Sequence, residues 1–220
     1  GRIAGQFAKP RSGDFEEQDG VSLPSYRGDI INGFDFTAEA RVPDPARMLQ
    51  AYTQAAASLN LLRAFSTGGY ADIHRVQSWI ADFTGGPEAD EYRAIADRIS
   101  DAMAFMQAAG VSSETAHELG TVEFYTSHEA LLLDYERALT RIDSRTNLPY
   151  GTSAHFLWIG ERTRALDGAH IAFAELLANP IGLKIGPGTT PEQAVEYVER
   201  LDPNHEAGRL TLISRMGAGK

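Results

Sequence analysis

The sequence contains no cysteine, no long apolar run and fewer basic than acidic residues. The absence of cysteine from all 220 residues excludes disulfides, zinc–thiolate clusters and thiol catalysis within them. No segment approaches the roughly 18 apolar residues of a membrane helix, and residues 1–6 lack the apolar core of a signal peptide. A net charge of -10 opposes binding to a nucleic-acid backbone. We therefore expect a cytoplasmic protein that binds small molecules, with no nucleic acid and no membrane as partner.

The first half of the chain is predicted to consist of a loop followed by helices. Residues 12–32 are rich in Gly, Asp, Ser and Pro without a sustained period, which predicts a long loop. Asp44 followed by Pro45 is a typical helix start, because an N-cap residue precedes proline at the first helical position. Apolar periodicity predicts further helices over 70–83 and 87–109, so helices follow one another here without a strand between them.

The second half alternates between predicted strands and predicted helices. The strands are expected at 121–126, 155–159, 181–185 and 209–214, and the helices at 128–139, 167–179 and 190–201. Thr190 begins a capping box with Gln193, which marks the start of the last helix. Strand–helix units with short links predict parallel strands covered by helices, in a barrel or in a doubly wound sheet.

Charged residues follow three successive predicted strands. Glu161 and Arg162 come after the strand at 155–159, Lys184 lies near the end of the next strand, and Arg215 follows the last one. The carboxyl ends of parallel strands are where substrates bind in α/β folds. Any one of these cations is equally well explained as a solvated rim residue or a structural ion pair. Three cations in register instead favour an anion site, since arginine suits phosphate and carboxylate oxygens.

Six segments of the chain resemble the class II 3-deoxy-D-arabino-heptulosonate-7-phosphate (DAHP) synthases. They are residues 2–12 (RIAGQFAKPRS), 26–29 (YRGD), 127–131 (SHEAL), 158–164 (WIGERTR), 167–170 (DGAH) and 214–217 (SRMG). The resemblance spans the whole chain and implies a (β/α)8 TIM barrel, of which these residues supply about strands two to six. It also implies one catalytic domain over 1–220, with inserted helices at about 70–109 in the region where family members bind aromatic amino acids as feedback inhibitors.

The resemblance implies a transferase that condenses phosphoenolpyruvate with erythrose 4-phosphate, giving DAHP and phosphate in the first step of the shikimate pathway. The phosphoenolpyruvate pocket would consist of Arg2, Trp158, Glu161, Arg162, Lys184 and Arg215. The erythrose 4-phosphate segment would consist of Lys9, Pro10, Arg11 and Ser12. Glu161, Lys184 and Arg162 would be catalytic. Arg162, Lys184 and Arg215 would hold the departing phosphate, and Glu161 with Lys184 would handle the proton of the added water.

The resemblance further implies a divalent metal, Mn2+ or Co2+, which the family binds through a cysteine on the first strand and His, Glu and Asp on the last strands. We expect no metal ligand within these 220 residues, and we expect them to be an inactive part of a longer enzyme. A homo-oligomer, an aromatic amino acid effector and a chorismate mutase partner are further expectations. One alternative remains open, namely a non-catalytic regulatory module that keeps the anion site or the aromatic amino acid site. Metal-ligand strands in the flanking coding sequence would favour the enzyme.

Overall fold

The computed structural model describes residues 7–8, 11–72, 89–112 and 114–217. The chain divides into two compact units, one formed by residues 1–56 and 125–220 and the other by residues 57–124. The strands of the described residues are β1 (Phe15–Gln18), β2 (Val21–Pro24), β3 (Ser127–Glu129), β4 (Thr140–Ile142), β5 (Pro149–Gly151), β6 (Phe156–Ile159), β7 (Ile181–Ile185) and β8 (Leu210–Ser214). The helices are α1 (Ala38–Arg41), α2 (Ala46–Thr67), α3 (Ala89–Ala108), α4 (Leu133–Ala138), α5 (Ala169–Leu176) and α6 (Pro191–Leu201).

The first unit is built on a parallel sheet in the order β3-β6-β7-β8. The strands β6 and β7 read as nearly continuous apolar runs, as expected for parallel strands that are buried in an α/β fold. The predicted α/β class with a parallel sheet is therefore confirmed. Closure of this sheet into a (β/α)8 barrel stays a prediction.

One face of the sheet carries the hydrophobic core. Leu157, Ile159, Ile181 and Leu183 from the strands pack with residues of α5 and α6 in a single buried cluster, which includes Ile171. Side chains alternate between the two faces of a strand, so the residues between these core positions lie on the opposite face. That opposite face carries Glu129, Trp158 and Lys184.

The helix signals in the sequence are largely confirmed. The carboxylate of Asp44 accepts a hydrogen bond from the Ala46 amide at 2.9 Å where α2 begins. Thr190 and Gln193 form the capping box that begins α6. α3 lies within the predicted range 87–109, whereas residues 73–83 of the helix predicted over 70–83 lie outside the described residues. No helix in the described part of the chain is both long and apolar enough to cross a membrane.

The prediction of a long loop over 12–32 is wrong, because β1 and β2 form an antiparallel hairpin there. Its turn is Asp19-Gly20, with φ angles of 51° and 79°. An Asp-Gly pair favours the left-handed backbone of tight hairpin turns, so a recognisable signal was present between the two short strands. A second hairpin, β4 with β5, was also not predicted.

The strand predicted at 121–126 is also wrong. The strand of this region is β3 at Ser127–Glu129, and the helix that follows begins at Leu133 instead of His128. Ser127, the residue before the predicted helix at 128–139, pairs with Phe156 of β6 in the parallel ladder. Pairing with a distant strand therefore overrides the local alternation of residues 121–126.

Candidate anion-binding site

The carboxyl edge of the sheet brings together the charged residues that follow β6, β7 and β8. Ile185 pairs with Ser214, so β7 and β8 end at the same level, and Ile159 pairs with Leu183, so β6 ends two residues before them. Glu161 and Arg162 lie in the 3-10 turn directly after β6. The Arg215 amide donates to the Ile185 carbonyl at 2.9 Å, and its side chain is exposed. The structure thus places the strand-end members of the predicted site along one edge.

Lys184 lies at the centre of this edge, between a carboxylate and an aromatic ring. Its Nζ is 3.5 Å from Oε2 of Glu129 and 5.2 Å from the centroid of the Trp158 ring. A Cβ at Gly182, the residue paired with Trp158, would lie 2.7 Å from Cζ of Phe156 and 2.8 Å from Cβ of Trp158, so glycine leaves room for these two side chains. A cation over an indole face is attracted to the ring electrons, so both neighbours hold the ammonium at the strand ends.

Glu129 is a site residue that the sequence analysis missed. Glu129 falls within the helix predicted at 128–139, which gives it no reason to lie at a strand end. Glu129 instead ends β3 and pairs in register with Trp158. The signal that identifies it is the long-range pairing of β3 with β6, which no local pattern in the sequence contains.

Glu161 occupies the space above Gly186, the residue after β7. A Cβ at Gly186 would lie 2.1 Å from Oε1 of Glu161, so a side chain at position 186 would displace this carboxylate. Among the described residues, the salt bridge of Lys184 is with Glu129, and none joins it to Glu161. Glu161 and Glu129 are therefore two distinct carboxylates at the same sheet edge, of which Glu129 is the partner of the lysine.

Arg162 connects the strand ends with the predicted erythrose 4-phosphate segment. Its Nη2 donates to Oγ of Ser12 at 3.0 Å, across 150 residues of sequence. Arg11, the neighbour of Ser12, donates through Nε to the Tyr26 carbonyl at 2.6 Å. The predicted site residues Arg2, Lys9 and Pro10 lie outside the described residues. Of the two predicted subsites, the structure therefore brings Ser12 and Arg162 into contact.

The loop that includes residues 26–29 supports this segment. Tyr26 donates its hydroxyl to Oδ1 of Asp29 at 2.8 Å, and burial followed by this hydrogen bond raises the pKa of Tyr26. Gly28 has a φ of 111° and lies so close to Phe7 that a Cβ would be 2.1 Å from the Phe7 carbonyl oxygen. Gly28 thus combines a left-handed backbone with close packing of two chain segments. This turn explains the role of the motif at residues 26–29.

Arg164 joins the loop after β6 to the loop after β7 and to α6. Its guanidinium donates to the Tyr197 hydroxyl at 2.8 Å and to Oγ1 of Thr189 at 2.9 Å. The Tyr197 hydroxyl in turn donates to the Arg164 carbonyl at 2.7 Å, and the guanidinium lies 5.4 Å from the Tyr197 ring centroid. These contacts fix the backbone that carries Glu161 and Arg162 relative to the end of the next strand.

The described residues do not fit the divalent metal that the resemblance implies. Within residues 7–8, 11–72, 89–112 and 114–217, no group of three or more His, Asp or Glu side chains is arranged to hold a metal ion. The chain also has no cysteine to supply a thiolate ligand. We therefore assign no metal ligand among the described residues and derive no step through a metal.

The fold and this edge define a class of protein: an α/β protein whose parallel strands end in arginine and lysine, next to two carboxylates and an indole ring. The sequence profile of the Class-II DAHP synthetase family matches residues 1–220, and the chain belongs to that family.

Two curated relatives agree with this assignment. The chain is 58% identical, over 221 residues, to a phospho-2-dehydro-3-deoxyheptonate aldolase of Streptomyces coelicolor, with 100% of this chain and 48% of the relative covered. It is 54% identical, over 225 residues, to phospho-2-dehydro-3-deoxyheptonate aldolase AroG of Mycolicibacterium smegmatis, with 100% and 47% covered. The chain thus spans about half the length of these relatives.

Proposed function

We propose that this chain is part of a DAHP synthase and supplies its phosphoenolpyruvate pocket and a portion of its erythrose 4-phosphate pocket. Family membership and the names of the two relatives support this reaction. Both substrates are phosphorylated, which accounts for several cations at one edge of an acidic chain. The closure of the parallel sheet into a barrel belongs to the same proposal.

The observation that carries the proposal is the hydrogen bond between Arg162 and Ser12. The family resemblance assigns the segments of these two residues to different substrates. A synthase must hold its two substrates within bonding distance of each other, because C3 of phosphoenolpyruvate forms a carbon–carbon bond to the aldehyde carbon. Contact between the two segments supports a single site where both substrates bind.

In the proposed reaction, C3 attacks the aldehyde, water adds at C2, and phosphate leaves by cleavage of its C–O bond. One proton of the water ends on the former aldehyde oxygen and the other on the phosphate, while its oxygen becomes the C2 ketone. Arg162, Lys184 and Arg215 would bind the phosphate through charge-assisted hydrogen bonds that persist as it leaves. Glu161 would accept a proton from the water as it adds to C2.

The test is release of inorganic phosphate from phosphoenolpyruvate by the full-length product of the coding sequence that contains these residues. The assay is run with and without erythrose 4-phosphate and Mn2+. We expect release that requires the aldehyde and the metal ion. Arg162→Gln should lower kcat/KM by about a hundredfold or more, the scale seen when one group that stabilises transition-state charge is removed.

The matched control is Arg200→Gln, which removes an arginine of the same unit that pairs with Glu175 on α5. It should leave kcat/KM within about threefold of the wild-type value, because exposed ion pairs contribute little. A folded full-length protein without aldehyde-dependent phosphate release would contradict the proposal. That result would favour the regulatory module, which still binds phosphoenolpyruvate or an aromatic amino acid.

A further inference from the structure

The ion pair between Glu129 and Lys184 places a negative charge inside a site that has to bind anions. The two side chains are only 13% and 21% exposed, so water screens the pair far less than a surface pair. Both lie on the sheet face that carries Trp158, Glu129 as the last residue of β3 and Lys184 as the next-to-last residue of β7. Glu129 is therefore not a rim residue that happens to be near the pocket.

Glycine at position 160 leaves space for the Glu129 carboxylate. Glu129 is on β3, and Lys184 is on β7, with β6 between them. The carboxylate lies against Gly160, the residue after β6, where a Cβ would be only 2.2 Å from Oε1. A larger residue at position 160 would push the carboxylate away from the lysine. The position of Glu129 thus depends on both its register in the sheet and a glycine on the neighbouring strand.

Two effects of Glu129 on anion binding oppose each other. Its charge repels an incoming anion and competes for the ammonium, which at a few Å in a partly desolvated site changes a binding constant by roughly tens to hundreds of times. It also restricts the lysine side chain in advance, and this restriction favours binding by only about two- to tenfold. The repulsive effect is the larger one.

We infer that Glu129 is a built-in counter-ion of Lys184. The phosphate group of the substrate has to displace the Glu129 carboxylate, and the carboxylate returns to the lysine when phosphate leaves. This inference rests on the proposed function, since it assigns the anion site to phosphoenolpyruvate and inorganic phosphate. The carboxylate lowers the affinity of the empty site for both anions. It thereby limits inhibition by the phosphate product.

The test is calorimetric titration of the full-length protein with phosphoenolpyruvate and, separately, with inorganic phosphate. Glu129→Gln keeps the size of the side chain and removes its charge, and should tighten the dissociation constant for each anion tenfold or more. Glu129→Asp keeps the charge and should stay within about threefold of the wild-type value. Glu175→Gln, which removes a carboxylate paired with Arg200 on the helices, is the matched control and should change neither constant.

A second pair of variants avoids leaving Lys184 without a counter-ion. Lys184→Met should weaken the binding of both anions. Adding Glu129→Gln to Lys184→Met should tighten the dissociation constant again by at least tenfold, because an unpaired carboxylate no longer faces the anion. A purely structural role of Glu129 predicts the opposite, namely weaker binding in both backgrounds. Equal or weaker binding by the Gln variants overturns the inference alone, whereas a wild-type protein that binds neither anion overturns the proposed function as well.

Discussion

Gly160→Ala is the substitution for which the structure makes the most specific prediction. The backbone at Gly160 has φ -75° and ψ 158°, which any residue adopts without strain. The added methyl group would meet the Glu129 carboxylate, with Oε1 at 2.2 Å and Cδ at 2.9 Å. The substitution therefore acts on one neighbouring side chain, and that side chain is the partner of Lys184.

The expected cost in the free energy of unfolding is about 1–3 kcal/mol, the range for forcing one extra methyl group into a packed site. Glu129 can relieve the contact by rotating away, but it then gives up its ion pair with a lysine that is mostly buried. Urea denaturation of the full-length protein measures this cost. The same measurement on Glu129→Ala and on the double variant isolates the contact between positions 160 and 129.

In the Glu129→Ala background, Gly160→Ala should cost less than about 0.5 kcal/mol, because the atoms that it would meet are gone. Gly188→Ala is the matched control, since a Cβ there would meet no described atom within 4 Å. It should be neutral or stabilising by up to about 1 kcal/mol. An equal cost of Gly160→Ala with and without the Glu129 carboxylate would refute the reasoning.

Three further substitutions test other contacts of the first unit. Glu136→Ala should lower the free energy of unfolding by about 3 kcal/mol in urea denaturation. The substitution removes the carboxylate that lies 2.6 Å from Nε2 of buried His128. A loss below about 1 kcal/mol would contradict this prediction. Arg164→Met should lower the free energy of unfolding by about 2 kcal/mol in the same assay, because two side-chain hydrogen bonds are lost. An unchanged midpoint of urea denaturation would contradict the assigned contacts. Burial, followed by the charges of Glu136 and Tyr52, raises the pKa of Tyr135 from 10.0 to about 12, so the wild-type protein should lose about 2 kcal/mol relative to Tyr135→Phe as the pH rises from 10 to 12. A stability difference between these two proteins that stays constant over this pH range would show that Tyr135 ionises equally readily when folded.

The parts of the fold that could be predicted are those with strong local signals. β7 was predicted at its observed bounds, because an apolar run between proline and glycine is typical of a buried parallel strand. α6 was predicted because Thr190, Pro191 and Gln193 form a complete start signal. The failure at β3 has the opposite cause, since a three-residue strand is defined by its partner β6 and carries no period of its own.

In the candidate site, too, the residues with strong local signals could be predicted and the contacts between distant segments could not. Arg162, Lys184 and Arg215 could be placed at a common edge because each follows or ends a strand with a clear signal. The contact of Arg162 with Ser12 and the pairing of Lys184 with Glu129 depend on segments distant in sequence, and spacing alone contains no information on such contacts. Glu129 was missed for this reason, although its neighbours in segment 127–131 carried part of the family resemblance.

The central claim is that the ends of β6, β7 and β8 bind phosphoenolpyruvate. A crystal structure of the full-length protein with phosphoenolpyruvate tests it most directly. We predict the phosphate within hydrogen-bonding distance of Arg162 and Lys184, with the Glu129 carboxylate displaced from its 3.5 Å contact with the lysine. Phosphoenolpyruvate bound away from these strand ends, with Arg162 and Lys184 free of it, would contradict the account.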